Sequence, residues 1–288
     1  MRAALARQGS MAVHESFWSY ARFRWLKISV ALLAAASAAY LLSGPARDRS
    51  GDTAVGYALG TLAAALMLWL SWFGVRKRSY HAAGAPLRGW LSAHIYLGAI
   101  LILIVPLHCA FQFGANIHTA AYVLMVAVIV SGTAGVAYYT AIPERMTENR
   151  PGEKLAALLE HIAEIDVECR NMAEALPDSI ARAVRVSIEE TRLGGGLLRQ
   201  ISGTDPRCGT ARALASLSEE AARMEGPRRG EVQRLLEILS VKRSLVARVR
   251  KDARYKGLLD LWLTFHVPLA MASLVAVAAH VFVVFYYR

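Results

Sequence analysis

Five long apolar runs and one long amphipathic stretch divide this chain of 288 residues. The runs cover Lys27–Leu42, Val55–Val75, Trp90–Phe111, Thr119–Ala141 and Leu259–Tyr287. Each approaches the roughly 20 apolar residues that a helix needs to cross a bilayer. The third and fourth contain no Asp, Glu, Lys or Arg. The first is the shortest, and with Arg22, Arg24 and Lys27 before it and Ala36-Ser37-Ala38 near its end it has the outline of a signal peptide. Its leader is long and aromatic (Phe17, Trp18, Tyr20, Phe23), and apolar residues continue past Ala38. Both features favour a retained helix. Between the fourth and fifth runs, Leu155, Leu158, Leu159, Ile162 and Ile165 recur at helical spacing. So do Leu235, Ile238, Leu239, Val241, Leu245 and Val249. Breaks fall at Pro177, Gly194–Gly196, around Gly203–Gly209 and at Gly226-Pro227. This pattern predicts three or four amphipathic helices in a hairpin-like bundle.

The expected fold class is therefore an all-α integral membrane protein. Residues 1–143 form an N-terminal cytoplasmic segment and transmembrane helices one to four, 144–257 a charged helical cytoplasmic insertion, and 258–288 the fifth transmembrane helix. Composition agrees: 55% of residues are hydrophobic and only 19% charged, yet the formal net charge is +11. The insertion holds 21 Lys and Arg against 18 Asp and Glu, a net of +3, so the excess lies in the short loops. Arg2, Arg7, Arg22, Arg24 and Lys27 precede or open helix one; Arg76, Lys77, Arg78 and Arg88 follow helix two; Arg248, Arg250, Lys251, Arg254 and Lys256 precede helix five. All fall on the side of the N-terminus, which the positive-inside rule assigns to the cytoplasm. The expected location is the cytoplasmic (inner) membrane, multi-pass, with the N-terminus cytoplasmic and Arg288 external. The basic balance is then a topology signal and makes no case for nucleic acid. The three cysteines form no C-x-x-C pair, which argues against an iron–sulfur cluster, a zinc ribbon or c-type haem attachment. Cys169 and Cys208 are expected as free thiols.

Ionisable residues inside membrane helices are functional candidates by default. Helix three carries His94 and His108; helix five carries His266 and His280. Both pairs are 14 residues apart, and both helices run from cytoplasm to exterior. Fourteen steps of about 100° fall about 40° short of four turns, so each pair lies on one helix face, about 21 Å apart. Parallel helices with equal spacing set His94 opposite His266 and His108 opposite His280. Each facing pair suits the two axial positions of a b-type haem, which needs no covalent attachment. A bare transition metal would lack a carboxylate or thiolate at either level. Gly98, Ala270, Ser273 and Ala276 provide small side chains beside the histidines. Arg88, at the cytoplasmic end of helix three, is the preferred partner for an inner haem propionate, with Arg24 and Lys27 as alternatives. Gly56, Gly60, Gly132 and Gly135 are expected to serve helix packing, and His118, beside Asn116 in the short external loop, to be solvated.

The runs Trp90-Leu-Ser-Ala-His94-Ile-Tyr-Leu-Gly98 and Trp262-Leu-Thr-Phe-His266-Val-Pro268, with the matched histidine pairs, resemble the membrane domains of ferric-reductase-like proteins and NADPH oxidases. They are also similar to the wider group of di-haem b-type cytochromes. The resemblance covers the membrane part alone. It implies His94, His108, His266 and His280 as axial iron ligands of two haems, and transmembrane electron transfer as the activity. The chain departs from the family in two ways: no flavin- or nicotinamide-binding segment follows the last helix, and the charged bundle interrupts helices four and five. The implied role is an electron-transfer subunit of an oxidoreductase rather than a self-contained enzyme. Its partners would be the membrane, a quinone or redox protein, and a docking partner for 144–257. Two other classes stay open: a haem or metal transporter, and a membrane-anchored scaffold presenting the cytoplasmic helices.

Overall fold

A computed structural model describes residues 16–45, 48–78, 86–149, 152–203, 205 and 207–286. Arg2, Arg7, Tyr287 and Arg288 lie outside the described residues. The structure is all-α, with nine helices among the described residues: α1 Tyr20–Leu42, α2 Ala54–Arg78, α3 Leu87–His108, α4 Ile117–Asn149, α5 Leu155–Ala173, α6 Asp178–Glu189, α7 Leu197–Ser202, α8 Gly209–Arg223 and α9 Arg228–Tyr286. Five of them, α1 to α4 and α9, are long and apolar enough to cross a membrane. The short helices α5 to α8 lie between the fourth and fifth spans.

Two spans, the fourth and the fifth, run furthest past their apolar runs. The fourth continues eight residues past Ala141 to Asn149, and the fifth begins at Arg228 rather than Leu259. Hydrophobicity marks only the lipid-facing part of a helix. Beyond it, these two helices persist because their polar ends pack as amphipathic helices. The chain divides into two compact units, one comprising Met1–Thr133 and His266–Arg288, the other Ala134–Phe265. Both α4 and α9 contribute residues to each unit.

In the first unit α3 is the central helix. Ala93, Leu97, Ile100 and Ile104 form a buried stripe at steps of four, three and four, packed with Leu59, Ala63 and Leu70 of α2, Ala36 of α1 and Met125 of α4. The outward residues are apolar as well: Leu68, Trp72, Leu103, Val130, Val275 and Phe282 are all exposed. A helix apolar all round with exposed Phe and Trp is stable only where lipid replaces water. Pro106 lacks an amide hydrogen and so releases the carbonyl of Ile102 from the helical ladder. The Tyr122 hydroxyl of α4 donates to that carbonyl at 3.2 Å, which ties α4 to α3.

In the second unit a single core joins Leu158, Ile162, Ile165 and Cys169 of α5, Ile180 and Val184 of α6, Ala213 and Leu217 of α8, and Val232, Leu235, Leu239, Val246 and Val249 of α9. The buried stripe on α9 steps 232, 235, 239, 242, 246, 249, so Lys242 occupies a core position, 1% exposed. The sequence pattern had set Val241 there, but Val241 is 45% exposed. Leu155 and Leu159 likewise face outward while Leu158 and Ile162 face in. Lys242 tolerates this place because every proton of its ammonium group has an acceptor. Asp166 pairs with it, and it donates to the Ser187 carbonyl at 2.8 Å and to Ser187 Oγ at 3.0 Å. The network continues from Ser187 Oγ to Thr210 Oγ1 at 3.2 Å and from there to Thr191 Oγ1 at 2.7 Å. Within this unit α4 and α9 also meet, because Gly135 leaves its side-chain position to the Trp262 indole and Asn149 donates to Asp252 Oδ1 at 2.9 Å.

Candidate functional site

The four histidines of α3 and α9 belong to the first unit, and three of the four rings are oriented by hydrogen bonds from neighbouring helices. His94 Nδ1 lies 3.1 Å from the carbonyl of Leu70 on α2. His108 Nδ1 lies 2.7 Å from the carbonyl of Gly56, also on α2. A carbonyl only accepts, so both rings carry their proton on Nδ1 and have the lone pair on Nε2. His266 Nδ1 lies 2.7 Å from Ser131 Oγ on α4. Ser131 has one hydroxyl proton and donates it to the Val128 carbonyl at 2.8 Å, so it accepts from His266. That ring therefore has the same tautomer as the other two.

Two glycines expected to serve packing instead seat histidines. A Cβ on Gly60 would stand 2.7 Å from His108 Cε1, inside contact distance, so the ring lies directly on the α2 backbone. A Cβ on Gly132 would meet His266 Cε1 at 3.6 Å. With Gly56, which supplies the carbonyl for His108, three of the four glycines act on the histidines; Gly135 alone packs against a tryptophan. Phe73 adds a tilted ring 5.1 Å from His94.

The His108 and His280 rings face each other with centroids 6.3 Å apart. His94 and His266 are within electrostatic reach of one another. His118 does not stand apart in solvent as expected from sequence. Its ring is 4.0 Å from that of His280. Asn116 holds it there by capping α4: its Oδ1 accepts from the Thr119 amide at 3.0 Å, which fixes the first turn in which His118 sits.

The remaining candidates are less engaged. Gly98 is half-buried, and a Cβ there would meet only Leu70 Cδ1, at 3.9 Å. Arg88 is exposed on the first turn of α3. Arg24 stacks on Trp25, 5.7 Å from the ring centre. Ser273, seven residues from both His266 and His280, is 1% exposed, with no hydrogen-bond partner for its hydroxyl among the described residues. Among the described residues no group of three or more His, Cys, Asp and Glu side chains is arranged to hold a bare metal ion.

Comparison of this chain with known protein families, with curated proteins and with solved structures gives no match. Fold and site together define a multi-pass, all-α membrane protein in which two apolar helices present four imidazoles, three of them oriented by hydrogen bonds.

Proposed function

We propose that the chain is a di-haem b-type cytochrome that relays electrons across or within the membrane between a quinone or other redox partners. The observation that carries this reading is the spacing of His108 and His280. Two metal–nitrogen bonds of about 2 Å, plus about 1 Å from each ligating nitrogen to its ring centre, separate two axial imidazoles by about 6 Å. The observed 6.3 Å suits that sandwich. The Nδ1 bonds support it further, since a histidine ligand donates its second nitrogen to a carbonyl or similar acceptor. His94 and His266 would hold the second haem.

Haem would supply one-electron chemistry, and with two histidines on each iron no position is left for oxygen or substrate. The chain's own residues bind and orient. Leu70, Gly56 and Ser131 fix the tautomers, Gly60 and Gly132 let rings approach the backbone, and Arg88 supplies a cation for a propionate near the His94 end. The positive-inside pattern supports a cytoplasmic membrane location with the N-terminus inside. On that reading, residues 144–257 face the cytoplasm, where they offer a docking partner for a dehydrogenase.

The test is a reduced-minus-oxidised spectrum with haem quantitation on the purified chain and its single His→Ala variants. Two haems per chain are expected, with His94→Ala and His266→Ala losing the same one and His108→Ala and His280→Ala the other. A colourless, folded protein sinks the proposal in favour of a scaffold. Loss of one haem by both His94→Ala and His280→Ala would refute the pairing.

A further inference from the structure

Three of the four histidines have an acceptor for Nδ1, and the fourth does not. His280 Nδ1 is buried with no hydrogen-bond partner among the described residues. A buried imidazole N–H without an acceptor costs on the order of 1–3 kcal/mol, and a ligand ring with no such bond is free to turn about its metal–nitrogen axis. The nearest ring is that of His118, 4.0 Å away and tilted by 59°. His118 is exposed, so it can turn about χ2, a broad torsion for histidine. Its backbone is held by the Asn116 cap, so the turn changes where its nitrogens point without moving the ring off His280. Asp52 lies within electrostatic reach of His118.

We propose that His118 is the orienting partner of His280, accepting the Nδ1 proton as the Leu70 and Gly56 carbonyls and Ser131 do for the other three. This rests on the di-haem reading and assigns a positioning residue to its external site. It also gives that site a distinct chemistry. Three ligands lean on backbone carbonyls or a hydroxyl within the bundle, whereas His280 would lean on an exposed imidazole at the start of α4.

The experiment compares the haem-loaded full chain with His118→Phe, which keeps a ring on His280 but removes the acceptor, and with His118→Gln, which keeps an acceptor but removes the ring. Haem is withdrawn by competition with apomyoglobin while the low-spin electron paramagnetic resonance signals of the two haems are followed. Outer-ligand partners typically change metal affinity by about 10–100-fold. His118→Phe is therefore expected to release the external haem at least about tenfold more readily and to alter its signal, with His118→Gln close to wild type and the inner haem unchanged in both. Two outcomes overturn the role given to His118: a Phe variant that matches wild type, or a Gln variant as impaired as Phe. A wild-type chain that binds no haem overturns the di-haem reading itself.

Discussion

The two units bury polar groups in opposite ways. In the second, Lys242 lies in an apolar core but its three protons meet Asp166, the Ser187 carbonyl and Ser187 Oγ, and the chain of hydroxyls closes on Thr210 and Thr191. In the first, His94 and His108 spend one nitrogen on a backbone carbonyl and keep the other for something else. A closed polar network gives a fold its specificity, whereas half-closed imidazoles in an apolar bundle cost stability, a cost that the proposed cofactor binding would account for.

Substitutions at the two kinds of site should separate these roles. The largest effect is expected at Gly60. Its Cβ position overlaps the His108 ring, so under the proposed di-haem function Gly60→Ala should abolish binding of the haem assigned to His108 and His280, read as one haem per chain instead of two. Gly98→Ala, with only Leu70 nearby at 3.9 Å, should retain both. Retention of both haems in Gly60→Ala would break the assignment of α2 as the seat of His108.

Next comes Lys242→Ala, which strands Asp166 and Ser187 in the core. Removing one member of a buried pair costs about 3–5 kcal/mol, measured as a shift of the denaturation midpoint of the second unit. Lys242→Met should cost less, because its unbranched chain refills the space. A midpoint unchanged by the alanine variant would mean that the network carries no stability.

Cys169 tests the tightness of the same core. Burial pushes its thiol from 9.0 up to about 11, with the nearby Lys242 acting in the opposite direction. At a given pH below 9 the thiolate is then about a hundredfold scarcer than for an ordinary thiol, and alkylation at pH 8 should slow at least that much. Rapid labelling of Cys169 in the folded chain would show that the core opens. Gly135→Ala should cost about 1–3 kcal/mol through overlap with Trp262, since overpacking carries that range, and under the proposed function it should leave haem content unchanged. The smallest change is expected from His94→Leu in the haem-free chain. Here a single hydrogen bond is exchanged for a well-packed apolar side chain, so stability should move by less than about 1 kcal/mol. A loss as large as that of Lys242→Ala would make His94 structural and erase the contrast.

Much of the fold can be read along the chain. Five apolar runs become five spans, and the 14-residue intervals on the third and fifth bring His108 and His280 face to face. The site's supports are less legible. Gly56, Gly60 and Gly132 look like packing glycines, because the same small side chain admits a helix or an imidazole. Ser131 carries no signal until His266 is known to lie 2.7 Å away. His118 reads as a loop residue, because its neighbour His280 is 162 positions later in the chain. Lys242 interrupts an otherwise regular stripe, so the apolar pattern shifts by one residue to Val241 and points the wrong way.

Sequence alone therefore determines what depends on composition and local periodicity: helix, membrane span, and the face on which each histidine pair lies. Those properties follow from one strand of chain meeting lipid or water. Which carbonyl receives His94 or His108, which core position hides an ammonium group, and which ring rests on His280 are decided only in the tertiary structure. They depend on the rotation and register of one helix against another. Within lipid those are set by contacts between small residues and by hydrogen bonds, and no hydrophobic pattern records them.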